Sequence, residues 1–266
     1  MLTVDFNRLR LRPGAVVLDL GCGDGRHARA TRLLSNVDVV ALDIGDGEIA
    51  TTARSLREME DETAVFRAAR DSGSWLALRG DSYRLPFDND AFDCVIAAEI
   101  LEHLRDDDRA LAEIYRVLKP GGELAVSVPR FGPEAICWAL SAEYRNSPGG
   151  HVRIYRRSEL MRKIASPGFE LFDAHFAHAL HAPYWWLKCA VGLQATGGLV
   201  GLYHRFLVWD MFAKPRLTRS LEWLLNPVIG KSEVIYARKP GLVPQLDRIR
   251  PRMGAVAAES YAAACS

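Results

Sequence analysis

The chain has 266 residues, 49% hydrophobic and 25% charged, and its 34 basic and 33 acidic residues leave a net charge of +1. Those proportions exclude a disordered, collagenous or coiled-coil protein, and the length allows a sizeable core without covalent staples. The near-neutral balance gives no electrostatic reason to expect general nucleic-acid binding.

The 28 Arg against 6 Lys read as a GC-rich coding bias. Five scattered cysteines (Cys22, Cys94, Cys137, Cys189, Cys265), never in C-x-x-C spacing, argue against a disulfide framework or thiolate zinc site and for a reducing cytosol. The N-terminus MLTVDFNRLRLRPG carries charges where a signal peptide needs an apolar core, so a cytoplasmic protein is expected. The weakly polar stretch 189–203 is too short to span a bilayer.

From Ala15 to Val128, short apolar runs alternate with helical patterns. AVVLDL (15–20) leads into a glycine turn and a helix over about 24–34, then VDVVALD (37–43), a longer helix within 47–70, and a short strand near 75–78. FDCVIAAE (92–99) reads as a buried strand, 106–118 as an amphipathic helix stopped by Lys119-Pro120-Gly121-Gly122, and GELAVSVP (122–129) as the next strand. Strands apolar on both faces, each followed by a helix, predict an α/β doubly wound parallel sheet covered on both sides.

Beyond 130 the rhythm changes. Residues 131–156 read as an irregular acceptor-side segment, followed by a helix capped by Ser158 and running to about Ala165. Strands are expected at 168–179 and 232–239. Between them, the aromatic-rich segment 180–230 predicts two or three helices, either packed on the sheet or capping the active site with a route to peripheral lipid contact. A single domain over 1–240 is expected, with its cofactor half at 1–130, and 241–266 reads as a disordered tail.

VLDLGCGDGRHA (17–28) carries the first chemistry. A strand delivers Gly21, Gly23 and Gly25, and a helix starts just after, where backbone must approach a ligand closely. Asp43 closes the second strand 18 residues beyond Gly25, where a carboxylate accepts from both ribose hydroxyls. Asp81, in GDSYRLPF after the third strand, is placed to accept an adenine amino proton. Three successive strand ends thus form one adenosine-shaped site. An NAD-dependent oxidoreductase competes through Asp43, but the G-x-G-x-G spacing departs from G-x-G-x-x-G and the Asp81 phrase opposes it. A non-catalytic binding protein is disfavoured by the intact loop and acidic residues.

VLDLGCGDG, ALD, GDSYRLPFDNDAFDCVIAAEILEHL and EIYRVLKPGGELAVSVP resemble the class I S-adenosylmethionine-dependent methyltransferases, over about 15–130. The resemblance implies a Rossmann-like seven-stranded sheet of order 3-2-1-4-5-7-6, its last strand antiparallel, with 180–230 as a helical cap inserted between the last two strands. It implies that Gly21, Gly23 and Gly25 border the methionine part of the cofactor, that Asp19 holds the loop and the cofactor amine, and that Asp43 takes the ribose. Asp81 and Ser82 would approach the adenine. The stretch from GGHVRIYR through HALHAPYWWLKCAVG also resembles an actinobacterial subgroup associated with methylation of mycofactocin-type oligosaccharides.

Methyl transfer from a sulfonium needs orientation and removal of the acceptor proton. The candidates stand at the end of the fourth strand: on a helical turn starting at Glu99, Glu102 and His103 fall at i+3 and i+4, on one face. That set suits a divalent cation such as Mg2+, Mn2+ or Fe2+. E-x-x-E-H resembles the phrase of metal-dependent O-methyltransferases, including small-RNA 3′-terminal 2′-O-methyltransferases and ubiquinone-pathway enzymes acting on catechols. The first group adds a second histidine, for which His151 occupies a comparable place. The open alternatives are a metal held by Glu99, Glu102, His103 and His151, metal-free general-base work by His103 or His151 beside Glu99, and a structural role. His175, His178 and His181 recur every three residues but straddle a strand end, which leaves zinc disfavoured and a place in an acceptor pocket preferred. Trp185 and Trp186 are candidates for stacking on a sugar or for core packing. Arg153, Arg156 and Arg157 read as a solvated face or an anchor for an acidic acceptor. The expected reaction is O-methylation of a hydroxylated small molecule (saccharide, glycolipid, or polyketide- or quinone-type metabolite). An RNA 2′-O-methyltransferase is the alternative, lacking the extra basic surface that such enzymes bring.

Overall fold

The computed structural model describes residues 2–34, 36–64, 73–213 and 215–241; the tail expected over 241–266 lies almost wholly outside them. Seven strands form one sheet: β1 (Val16–Leu20), β2 (Asp38–Asp43), β3 (Trp75–Arg79), β4 (Phe92–Ala98), β5 (Leu118–Pro129), β6 (Glu170–Ala177) and β7 (Ser232–Arg238). Their order is β3-β2-β1-β4-β5-β7-β6, with β1 to β5 mutually parallel and β7 antiparallel to both neighbours, as expected.

Alternation along the strands divides the core between the two faces. Leu18, Leu20, Val95, Ala97, Leu124, Val126, Ile235 and Ala237 point to one face, where they pack with α3 (Asp107–Val117) and α6 (Arg157–Ala165) through Leu111, Ile114, Leu160 and Ile164. Val17, Cys94, Ile96, Ala125, Val234 and Tyr236 point to the other, where Val4 and Leu9 of the N-terminal segment cover them. Two polar contacts pin that segment: the Asp5 N–H donates to the Tyr236 hydroxyl at 2.8 Å, and Arg8 pairs with Asp173 at 2.7 Å. Further along the same face, α1 (Arg26–Arg32) and α2 (Asp46–Ala64) bury Ala28 and Leu56 against Val39 and Ala41.

The structure departs from expectation in several places. Residues 131–140 and 142–145 are helical, as α4 (Phe131–Leu140) and α5 (Ala142–Arg145), because an apolar run of mixed period, FGPEAICWAL, finds a partner helix that the sequence does not disclose. Ser158 lies inside the first turn of α6; Arg156 is the N-cap residue and contributes no side-chain cap. Of the three arginines, Arg153 leaves the solvated face by pairing with buried Asp107 at 2.6 Å, whereas Arg156, over the Phe131 ring, and Arg157, 3.3 Å from buried Glu233, stay exposed.

The cap between β6 and β7 is three helices, α7 (Ala182–Val191), α8 (Gly198–Ala213) and α9 (Arg216–Ile229). It is tied down by α7 packing on α4, where the Trp186 indole N–H donates to the Pro133 carbonyl at 3.0 Å. The Asn226 side chain accepts from the Ala179 N–H at 3.0 Å, fixing α9 to the end of β6.

Candidate active site

The glycine loop leaves β1 through three positive-φ residues, Gly21 (68°), Gly23 (54°) and Gly25 (76°). Left-handed backbone favours glycine at all three, but the surroundings differ. A Cβ on Gly21 would meet the Ile100 side chain at 2.5 Å, and one on Gly25 would meet Thr52 Oγ1 at 2.8 Å. Above Gly23 there is nothing within 4 Å, so the loop is tight at its ends and open at its centre. Thr52, from α2, braces it by donating to the Gly23 carbonyl at 2.9 Å.

The acidic residues stand at the carboxyl edge of the sheet. Asp19 is buried in β1 and accepts from the Ala28 N–H at 2.8 Å, joining strand to helix across the loop. Burial pushes its carboxyl up to about 7 against the lowering effect of that bond. Asp43, at the end of β2, accepts from Gly23 N–H and from Gly45 N–H, both at 3.0 Å, so each oxygen already holds the loop in shape and keeps a lone pair for a ligand. Asp81 caps the turn after β3 by accepting from the Tyr83 N–H at 2.9 Å, and Ser82 beside it is buried.

At the end of β4, Glu99 has φ 55°, unusual for a non-glycine residue. Helical geometry covers only Leu101–His103, as a 3-10 turn, so the even helical face expected from 99 to 103 does not form. Glu99 turns instead toward β5, where its Oε1 accepts from the Ser127 hydroxyl at 2.9 Å. Ser127 in turn is 3.1 Å from the Thr3 hydroxyl, which lies 3.3 Å from His27 Nε2, so the N-terminal segment is hydrogen-bonded to Glu99 through one serine.

Glu102, His103 and His151 converge. Ligand atoms from the three lie within 4.8 Å of one another, the only such trio of His, Cys, Asp or Glu among the described residues. His151 arrives because the Val152 N–H donates to the Glu102 carbonyl at 2.9 Å. The two imidazoles are 5.0 Å apart in a T-shaped arrangement. His103 Nδ1 donates to the Gly150 carbonyl at 3.2 Å, which leaves Nε2 as its free nitrogen; burial and the neighbouring His151 hold its imidazole below the ordinary value. His151 Nδ1 binds Glu134 Oε1 at 2.7 Å. Burial alone would raise Glu134, but the His151 hydrogen bond and the field of Lys231 bring it below the usual carboxylate range. Glu102 is different: fully buried, with neither carboxylate oxygen hydrogen-bonded, it is pushed well up by burial and then by Glu99.

Glu134, Ser127, Thr3 and Thr52 escape the sequence reading. Glu134 lies in the segment read as irregular, and the others carry no motif. Tyr144 and the cap add a wall: the Tyr144 hydroxyl is 3.4 Å from Glu134 Oε2, and its ring lies 5.8 Å from that of Trp185 on α7. Trp185 therefore faces the candidate site while Trp186 holds the cap. His175, His178 and His181 form no trio with metal-ligand spacing; His175 stacks on Tyr236 at 5.6 Å, and His175 and His178 line a separate cavity of about 960 Å³ between the N-terminal segment, α1, α2 and the cap.

Residues 18–126 match the methyltransferase domain family. A demethylmenaquinone methyltransferase of Parafrankia sp. (strain EAN1pec) is 35% identical over 219 residues, covering 76% of this chain and 81% of that protein. The 27-O-demethylrifamycin SV methyltransferase of Amycolatopsis mediterranei is 28% identical over 179 residues, 66% of this chain and 62% of that one. This chain spans about half the length of several other curated relatives, sterol C-24 methyltransferases among them. The fold is shared with phosphoethanolamine N-methyltransferase 2 of Haemonchus contortus, solved in complex with S-adenosyl-L-methionine, at a TM-score of 0.56 and 19% identity, over 88% of this chain and 51% of that one. With the glycine loop and its acidic strand ends at the edge of a 3-2-1-4-5-7-6 sheet, the chain belongs to the class I S-adenosylmethionine-dependent methyltransferases.

Proposed function

We propose that the chain transfers the methyl group of S-adenosylmethionine to a hydroxyl oxygen of a small-molecule acceptor (a saccharide, glycolipid, or polyketide- or quinone-type metabolite), with His151 taking the proton. The observation that carries this reading is the 2.7 Å contact of His151 with buried Glu134 beside the Glu102–His103 turn. The loop 21–25 receives the methionine end of the donor, Asp19 its ammonium group, Asp43 its ribose, and Asp81 with Ser82 its adenine. Ile100 lies against Gly21, so the turn carrying Glu102 and His103 borders the loop that the sulfonium occupies. The sulfonium carbon is already electrophilic; the remaining need is an acceptor oxygen in line with it and rid of its proton.

His151 donates its Nδ1–H to Glu134 and keeps a basic Nε2, while the Glu134 carboxylate stabilises the imidazolium as it forms. Glu99, held by Ser127, adds a fixed negative charge beside the donor cation. Similarity to a methyltransferase named for a rifamycin 27-O position supports a hydroxylated acceptor.

A specific observation favours a second form of the same reaction. The unpartnered, buried carboxylate of Glu102 with two imidazoles fits the donor set of Mg2+, Mn2+ or Fe2+, with Glu99 adjacent. Glu102, His103 and His151 would hold the cation, and a bound cation lowers the pKa of a chelated hydroxyl.

The test is transfer of labelled methyl from S-adenosylmethionine into a small-molecule extract, with EDTA and again with Mg2+ or Mn2+ restored. Label on oxygen regardless of chelator supports the histidine base alone; label only with metal supports the cation. Label found on carbon or nitrogen overturns the O-methyl reading.

A further inference from the structure

We infer that α8 and α9 form a docking surface for an anionic lipid bilayer. Among the described residues, ten of the nineteen exposed large hydrophobic side chains fall on these two helices. Phe212 and Leu217, at the adjoining ends of α8 and α9, are each 80% exposed, Trp223 is 77% and Leu199 71%. On α9, Leu217, Leu221, Leu224 and Val228 recur at i, i+4, i+7 and i+11, one stripe of the helix, and all four are exposed. Apolar surface on this scale marks an interaction site. No helix among the described residues is long and apolar enough to cross a membrane, so lipid contact here is interfacial, with the helices lying in the headgroup region.

Charge selects the occupant. Residues 180–231 contain six bases and only two acids, in a chain whose net charge is +1. Both acids, Asp210 and Glu222, are buried, and Arg219 pairs with each. The charged side chains exposed beside the apolar stripe, Arg205 and Arg216, are cationic. A two-fold interface between copies of this chain would bring together two surfaces that carry Arg205 and Arg216 and no exposed acid to pair with them, which opposes self-association. An anionic leaflet complements them; Trp209 and Trp223 are of the side-chain type that settles at headgroup level, and Phe212 of the type that inserts just below it. Met211 and Arg219 of the same helices also wall the cavity of about 960 Å³, so the docked surface adjoins a space large enough for part of a lipid-borne molecule. The docking surface stands independently of which atom is methylated.

The experiment is co-sedimentation of the full chain with vesicles of phosphatidylcholine alone and of phosphatidylcholine mixed with phosphatidylglycerol, with tryptophan fluorescence read on the same samples. The expected result is binding to the mixed vesicles at least tenfold tighter than to neutral ones, weakened by salt, with a blue-shifted emission. Phe212→Ser with Leu217→Ser lowers that binding at least tenfold, about what one fully buried apolar side chain contributes. Arg205→Gln with Arg216→Gln removes the preference for anionic vesicles. All four positions are exposed, and an unchanged thermal melt shows that the variants fold. Absence of binding to both vesicles, or serine-variant binding equal to the parent, overturns the inference. A concentration-dependent dimer that the serine pair abolishes, with no vesicle binding, overturns it in favour of self-association.

Discussion

Replacing Glu134 by glutamine tests the proposed base more sharply than removing His151, because it keeps the shape of the site and changes only the charge behind the imidazole. Glu134 is 1% exposed and its Oε1 lies 2.7 Å from His151 Nδ1, the short distance of a charge-assisted hydrogen bond. Such a bond contributes about 1.5–3 kcal/mol. The amide oxygen of the substituted side chain still accepts from Nδ1, so the ground-state imidazole stays aimed; what is lost is stabilisation of the imidazolium formed as the methyl moves. Taking about 2 kcal/mol of that in the transition state gives a fall in kcat of roughly thirtyfold, at an S-adenosylmethionine KM within about twofold of the parent. Steady-state kinetics on the labelled-transfer assay would read the split. Because the folded Glu134 carboxyl lies below its ordinary value, it binds a proton less readily than the unfolded chain does. Its stabilising contribution is therefore complete above the unfolded value of 4.5 and is lost as pH falls through the lower folded value, and Glu134→Gln removes that acid sensitivity. A kcat unchanged in Glu134→Gln, or a matching rise in cofactor KM with kcat intact, would refute the assignment of Glu134 to His151's catalytic work.

Three further outcomes are expected. The Asp19 carboxyl, raised by burial to about 7, holds a proton that the unfolded chain gives up at 3.8, so Asp19 lowers stability progressively as pH rises from about 4 to 7; Asp19→Asn flattens that part of the urea-melt pH profile. The cationic amine of the cofactor favours the ionised form, and calorimetry in buffers of different ionisation heat should show proton release on cofactor binding near pH 6. Gly25→Ala forces a side chain onto φ 76° and into Thr52 Oγ1 at 2.8 Å, for a loss of about 1–2 kcal/mol, read as a lower thermal midpoint that Thr52→Ala restores only in part. Tyr155→Phe strips a buried hydroxyl that donates to Asp107 Oδ2 at 2.5 Å and lies 3.1 Å from the Leu101 carbonyl, costing about 1–3 kcal/mol in denaturant unfolding; an effect below about 0.5 kcal/mol would show that Arg153 and Lys163 satisfy Asp107 alone.

Most of the sheet was legible because its strands are apolar on both faces and are punctuated by glycine and proline. β1, β2, β4 and β7 lie within a residue or two of the expected segments, and the covered parallel sheet follows from such runs alternating with helices. The strand order came from resemblance, since periodicity says which face of a strand is buried but not which strand lies beside it. The glycine loop was equally legible: Asp19, Gly21, Gly23, Gly25 and Asp43 belong to two turns close in sequence, so their backbone conformation and hydrogen bonds are set locally.

The acceptor side was legible only in part. The sequence put Glu99, Glu102 and His103 on one face by assuming a regular helix, whereas the chain adopts left-handed backbone at Glu99 and a single 3-10 turn after it. That backbone sends Glu99 to Ser127 on β5 and brings Glu102 and His103 to His151, roughly fifty residues along the chain. Glu134 carried no local signal because its role arises wholly from packing: α4 becomes a helix by covering α7, and only then does its one acidic side chain reach His151. The same holds for the surface of α8 and α9, which the sequence shows to be aromatic but not exposed. Patterns of hydrophobicity and turn residues are set by neighbours a few positions away, and these determined the fold class, the glycine loop and the acidic residues at its strand ends. The His151–Glu134 contact, the Thr3–Ser127–Glu99 chain and the exposure of the cap helices depend on contacts between distant segments, which only tertiary packing decides.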